Sequence, residues 1–176
     1  MRRLRFALIV AAVGLAAWVG YRDTIVGPLV RPIEVLTARL TAALVHTLGM
    51  EAVRAGTVVY HPDGFAFQIS RGCTGLVPLA LLAAGILAYP AARRMKVWGL
   101  LAGAPLLIAL NLLRLVQLFI AGVRWPRSFD VAHEVVWQVV VALSVLGIWL
   151  AWVRWVDRNP ASHRGYGDRV LATRIE

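Results

Sequence analysis

Long uninterrupted runs of apolar residues set the strongest constraint on this chain. They cover residues 6–19, 76–88, 97–121 and about 131–153, and short amphipathic elements do not produce blocks of that length. Hydrocarbon offers no water to a peptide group, so such a run must close its own backbone hydrogen bonds as a helix. A crossing takes about 20 apolar residues. Of the 176 residues, 60% are hydrophobic and only 16% are charged, too few to coat a soluble domain. The expected fold is an all-α polytopic membrane protein with about four transmembrane helices.

The first run follows Arg2, Arg3 and Arg5, as in a signal peptide. No small-x-small cleavage site precedes Tyr21, Arg22 and Asp23, so it reads as an uncleaved first span. Residues 28–50 are different. Leu36, Leu40, Ala43, Leu44 and Leu48 keep helical spacing, but Arg31, Glu34 and Arg39 are costly at the bilayer centre. An amphipathic helix at the interface is expected, with a fifth span as the alternative. Residues 57–60 and 65–69 are β-branched or aromatic runs around His61-Pro62-Asp63-Gly64, which predicts a small β-hairpin outside the membrane. The run at 76–88 reaches crossing length if its helix extends back to about Arg71. The run at 97–121 is interrupted by Asn111, Arg114 and Gln117, and its Gly99 and Gly103 form a small-xxx-small pair that admits a neighbouring helix. Asp130 is placed to cap the last span. Residues 1–155 read as one transmembrane domain and 156–176 as a basic cytoplasmic tail.

Charge fixes the expected orientation. The chain carries 19 Lys and Arg against nine acids, a net charge of +10. The basic residues flank apolar runs and form no continuous binding helix, so no nucleic-acid partner is expected; the lipid bilayer is. Four crossings put both termini on one side. Assigning that side to the cytoplasm gives the inner segments eleven basic residues and the outer segments seven, the sense of the positive-inside rule. Cys73, Arg114 and His133 then lie near the same, outer, face, although they are far apart in sequence.

That grouping has chemical content. Cys73 is the only cysteine, so an intrachain disulfide is excluded. It is a buried structural thiol, a nucleophile, a lipid-modification site or an intermolecular bridge, and a nearby cation or a helix N-terminus favours the thiolate that attacks a carbonyl. Arg71 is one such cation, and Gly72 and Gly75 leave room for a substrate backbone. Arg114 is a guanidinium inside an apolar helix. It either snorkels to headgroups or serves a site, holding an oxyanion or the thiolate. Asn111 shares its helix face and either orients it, binds a backbone group or bonds another helix. His133 is suited to proton transfer near neutral pH, with Asp130 or Glu134 available to hold its ring, or it is an interfacial polar residue. No metal-ligand set and no cofactor motif accompanies these residues.

Arg71-Gly72-Cys73-Thr74-Gly75, then Asn111-x-x-Arg114, then His133 at the start of another helix together resemble the exosortase/archaeosortase family over about residues 50–150. The short length and the Arg-Gly-Cys context look most like the compact exosortase H group. The resemblance implies a membrane cysteine protease or transpeptidase of the bacterial cytoplasmic (inner) membrane, facing the periplasm or exterior. Its substrate would be a protein with a C-terminal recognition motif, one transmembrane helix and a basic tail. Cys73, Arg114 and His133 would be catalytic, with Arg71, Gly75 and Asn111 supporting. The alternatives are a non-enzymatic scaffold or transporter subunit, in which Arg114 meets a buried acid or an anionic solute, and a hydrolase of lipid-linked substrates.

Overall fold

The computed structural model describes residues 23–159; the expected first span at 6–19 and most of the tail lie outside them. Four helices follow in order: α1 (Asp23–Thr47), α2 (Leu76–Ala88), α3 (Arg93–Arg124) and α4 (Phe129–Asp157). Between α1 and α2 stand three short strands, β1 (Val53–Ala55), β2 (Val58–Tyr60) and β3 (Ala66–Gln68). α3 and α4, 32 and 29 residues long, are long and apolar enough to cross a membrane. α2 is apolar but has only 13 residues. The chain is thus an all-α membrane protein with a small sheet. Among the described residues, the expected crossings are represented by two full-length helices and one shorter one.

The burial pattern is the reverse of a soluble bundle. Large apolar side chains point outward along α4, from Val131 through Val139 to Leu146, and Leu143 at mid-helix is 62% exposed. α1 behaves similarly. It buries Ala38, Thr41, Ala42 and Val45 against the protein and turns Leu29, Leu36, Leu40, Leu44 and Leu48 outward. Small residues let backbones approach where the solvent is as apolar as leucine. The leucine spacing that predicted a helix over 28–50 therefore marks its outer face. The helix also begins earlier than expected, at Asp23, and runs through Pro28 and Pro32.

The expected hairpin is a three-stranded antiparallel sheet of order β1-β2-β3. Val59 pairs with Arg54 on one side and Phe67 on the other. Strand β1 lacks a hydropathy signal, having one arginine in three residues; Gly56, with φ 61°, turns it into β2. The sheet packs Val59 and Ile69 against Ala38, Ala42 and Val45 of α1 and Leu115, Val116 and Phe119 of α3, and Cys73 belongs to the same cluster. Gly122 lies under the Phe65 ring, where an added Cβ would overlap it.

A second cluster at the other end of the bundle joins Leu82 and Ile86 of α2, Leu107 of α3, and Trp152 and Val156 of α4. The Gly99/Gly103 pair does admit neighbours. A Cβ at Gly99 would overlap the Trp152 indole, and one at Gly103 would come within 2.8 Å of Leu82 Cδ2. Trp152 Nε1 donates to the Met95 carbonyl at 3.1 Å. Lys96 Nζ donates to the Leu87 carbonyl at 2.6 Å, closing the end of α2. Tyr89 Oη donates to Asp157 Oδ1 at 2.7 Å, and that bond to a carboxylate holds the phenol above its ordinary pKa.

Two glycines test this packing. Gly99→Ala pushes the indole out of its slot and should destabilise the protein in detergent by about 1–3 kcal/mol. Gly147→Ala, whose Cβ would meet nothing within 4 Å, should be neutral or stabilising. Thermal unfolding of both variants in detergent reads the difference.

Candidate active site

The segment after β3 does not continue as helix. Arg71–Cys73 forms a single 3₁₀ turn, closed by the Cys73 N–H on the Ser70 carbonyl at 2.8 Å. Thr74 bonds back to the Arg71 carbonyl through both its hydroxyl, at 2.7 Å, and its N–H, at 3.2 Å. Gly75 then takes φ 75°, and α2 starts at Leu76. The extension of this helix to Arg71, expected from the length of its apolar run, is corrected: left-handed Gly75 separates the turn from the helix. Cys73 thus sits on a tight turn, with its backbone partly free of helix bonds.

Asn111 fills that gap. Its Nδ2 donates to the Cys73 carbonyl at 2.8 Å from the facing side of α3. Of the roles open to Asn111, this is a clamp between a helix and the cysteine turn. It also explains Gly75. A Cβ there would stand 3.1 Å from Asn111 Cγ, and the backbone is in the left-handed region as well. Gly75 makes room for Asn111; Gly72, exposed, has no neighbour closer than 4.0 Å to an added Cβ and is the open glycine of the pair.

The thiol is 5% exposed, among Ile69, Leu115, Val116 and Phe119. Ser70 Oγ stands 3.8 Å from Cys73 Sγ and is a polar neighbour that sequence reading missed. A serine three residues before a cysteine in a turn is the signal that was available. Arg71 is half-buried and takes part in this turn through its backbone.

Arg114 follows Asn111 by one turn of α3 and is 6% exposed. A guanidinium snorkelling to headgroups would be open to its surroundings; this one is enclosed. Its Nε has no hydrogen-bond partner among the described residues, and no acid there pairs with it. A buried cation left in that state is costly.

His133 lies at the start of α4, in a stretch whose helix winding is wider than α. Residues Ala132–Val136 form a π turn, with the Trp137 N–H on the Ala132 carbonyl. Such insertions re-aim side chains and recur at functional sites. The expected cap by Asp130 is absent, since α4 already starts at Phe129. Among the described residues, neither Asp130 nor Glu134 bonds the imidazole. Phe129 stacks on it instead, with centroids 5.8 Å apart and planes 10° apart. This contact fixes the ring plane and leaves the nitrogens at its edge.

Asn111 and Trp137 line the same narrow cleft, with Pro78 and Leu107. Arg114 is one turn beyond Asn111 toward the sheet, and His133 is one turn before Trp137 on the antiparallel helix. Both lie roughly 5 Å further toward the sheet end, where the Cys73 turn is tied to α3 by Asn111. The structure thus joins Cys73, Gly75 and Asn111 by direct contact. Arg114 on α3 and His133 on α4 make no hydrogen bond to the thiol among the described residues. No three His, Cys, Asp or Glu side chains among the described residues gather as metal ligands.

Comparison with known proteins gives one result. The model of the transmembrane exosortase (EpsH) family matches residues 1–155. No curated protein and no solved structure matches the chain. The match covers the sheet, every candidate site residue and the helices up to the last two residues of α4, and the chain therefore belongs to the transmembrane exosortase family, membrane proteins that process sorting signals.

Proposed function

We propose that this protein is a membrane cysteine protease or transpeptidase that cleaves C-terminal sorting signals at the outer face of the bacterial cytoplasmic membrane. Its compact size fits the exosortase H-type resemblance. The observation that carries the reading is the buried Arg114 guanidinium, without an acid partner among the described residues and one turn from the residue that clamps the Cys73 turn.

The substrate of this reading is a protein anchored by one transmembrane helix, with a recognition motif before it and a basic tail after it. Its anchor holds the motif at the depth of the site and removes much of the entropic cost of encounter. The Cys73 thiolate attacks the scissile carbonyl, and a carbon–sulfur bond forms. The carbonyl oxygen becomes an oxyanion, which Arg114 stabilises. The intermediate collapses with cleavage of the carbon–nitrogen bond, and His133 gives its proton to the leaving amine. An external nucleophile, an amine or water, then attacks the thioacyl carbon, loses its proton to His133 and releases the thiolate. Ser70 donates toward the sulfur between these steps. In this topology both termini are cytoplasmic, with the sheet and the three side chains outside.

Two experiments test the reading. In cells carrying Cys73→Ala, precursor proteins should accumulate with their C-terminal helices intact, as read by membrane proteomics. Arg114→Gln should slow processing by about 10²–10³-fold while leaving the protein folded. Normal processing with Cys73→Ala would remove the nucleophile from the account. The clamp is tested on the protein alone. Asn111→Leu leaves the Cys73 carbonyl without its donor and should cost about 1–3 kcal/mol. It should also raise the alkylation rate of the otherwise buried thiol by iodoacetamide several-fold; an unchanged rate would mean that Asn111 does not hold the turn.

A further inference from the structure

Among the described residues the three-stranded sheet has two open edges, and they differ. Backbone groups of an antiparallel strand face its partner at every second residue. On β3 the bonding residues are odd-numbered: Ile69 N–H donates to the Thr57 carbonyl at 2.9 Å, and the Phe65 carbonyl accepts from His61 N–H at 2.7 Å. Phe67 pairs with Val59 between them. Ala66 and Gln68 therefore turn their N–H and C=O groups away from the sheet. Their side chains are exposed, whereas Phe65, Phe67 and Ile69 point inward. On β1, by the same parity, only Arg54 turns its backbone outward, and its own guanidinium covers that edge by donating to the Gly56 carbonyl at 2.8 Å. Charged side chains on an edge are a common guard against strand addition. Ala66 and Gln68 carry none.

The unguarded edge is also the one joined to the site. β3 leads through Ser70 directly into the Cys73 turn. Its inward face reaches the start of α4: Phe65 and Phe67 lie 5.4 and 6.4 Å from Phe129, the ring that stacks on His133. Resting on the cysteine reading above, we propose that β3 is the recognition strand: an extended peptide, the segment just before the substrate's transmembrane helix, adds to the sheet as a fourth strand on the backbone of Ala66 and Gln68. Main-chain bonds give such an edge its affinity, and the alternation of side chains its selectivity. An extended segment offers a pair of backbone groups at every second residue, the spacing at which Ala66 and Gln68 present theirs. The strand then feeds the peptide toward Ser70, the exposed neighbour of the buried thiol.

Photo-crosslinking in native membranes tests this on the full-length protein. The probe is p-benzoylphenylalanine placed at position 68, or at position 54 on the guarded edge. The expected result is a light-dependent adduct from position 68 that maps to residues just before a C-terminal transmembrane helix and is far weaker from position 54. Ala66→Pro removes an outward N–H without breaking a bond to β2, and should weaken that adduct roughly tenfold. Cys73 alkylation unchanged in this variant would show the site intact. Equal adducts from both edges, adducts mapping elsewhere, or insensitivity to Ala66→Pro with intact alkylation would overturn the proposal. Cys73→Ala separates it from the catalytic reading. If both hold, uncleaved substrate accumulates and the adduct from position 68 increases. If only the edge holds, the adduct is unaffected by Cys73→Ala.

Discussion

A single hydrogen bond, from Asn111 Nδ2 to the Cys73 carbonyl at 2.8 Å, is what the rest of this structure is arranged around. A turn inserted between a strand and a membrane helix leaves a peptide carbonyl without an intrahelical donor, and in an apolar setting that is expensive. Asn111 supplies the donor. To do so it must lie against Gly75, whose missing side chain and left-handed backbone are both required. The same bond fixes the cysteine turn to α3 at a level one helical turn from Arg114. The contact that satisfies the backbone also positions the Cys73 turn against α3.

The bundle around this contact is arranged for a lipid solvent. α1 turns alanine and threonine inward and leucine outward, and α4 exposes valine and leucine along its length. Burial of large apolar surface in the two clusters is thus only part of what holds these helices together. Close approach at Gly99 and Gly103, and indole and amide bonds such as Trp152 to Met95, share that role. Against this background the enclosed guanidinium of Arg114 stands out, because nothing in helix packing calls for it.

Much of this was legible in the sequence, and the reasons it stopped being legible are physical. Apolar runs long enough to cross announced α3 and α4, since hydropathy directly measures the solvent that they face. The Asn111-x-x-Arg114 spacing announced two polar groups on one face. It did not reveal that Asn111 bonds to a carbonyl 38 residues away. Strand β1 was illegible because Val53-Arg54-Ala55 carries neither alternation nor length, and its pairing is decided by β2. The break at Gly75 was hidden because a glycine just before an apolar run fits both a helix and a left-handed turn. The π turn at Ala132–Val136 has no residue signature. The leucines of α1 gave the element but not which face packs on the protein, because helical spacing states which residues align and not which solvent they meet.

The central claim is that the thiol, the guanidinium and the imidazole share one compartment, on the side of the membrane away from the cytoplasm. Because Cys73 is the only cysteine, His133→Cys creates a protein with two thiols, and bridging between them reports the arrangement directly. In intact cells, a short bifunctional thiol reagent that cannot cross the membrane should link the two positions. It should not link Cys73 to a cysteine at Ala151, about five turns further along α4. No bridge from outside, or a bridge formed only once the reagent is admitted to the cytoplasm, would contradict the account.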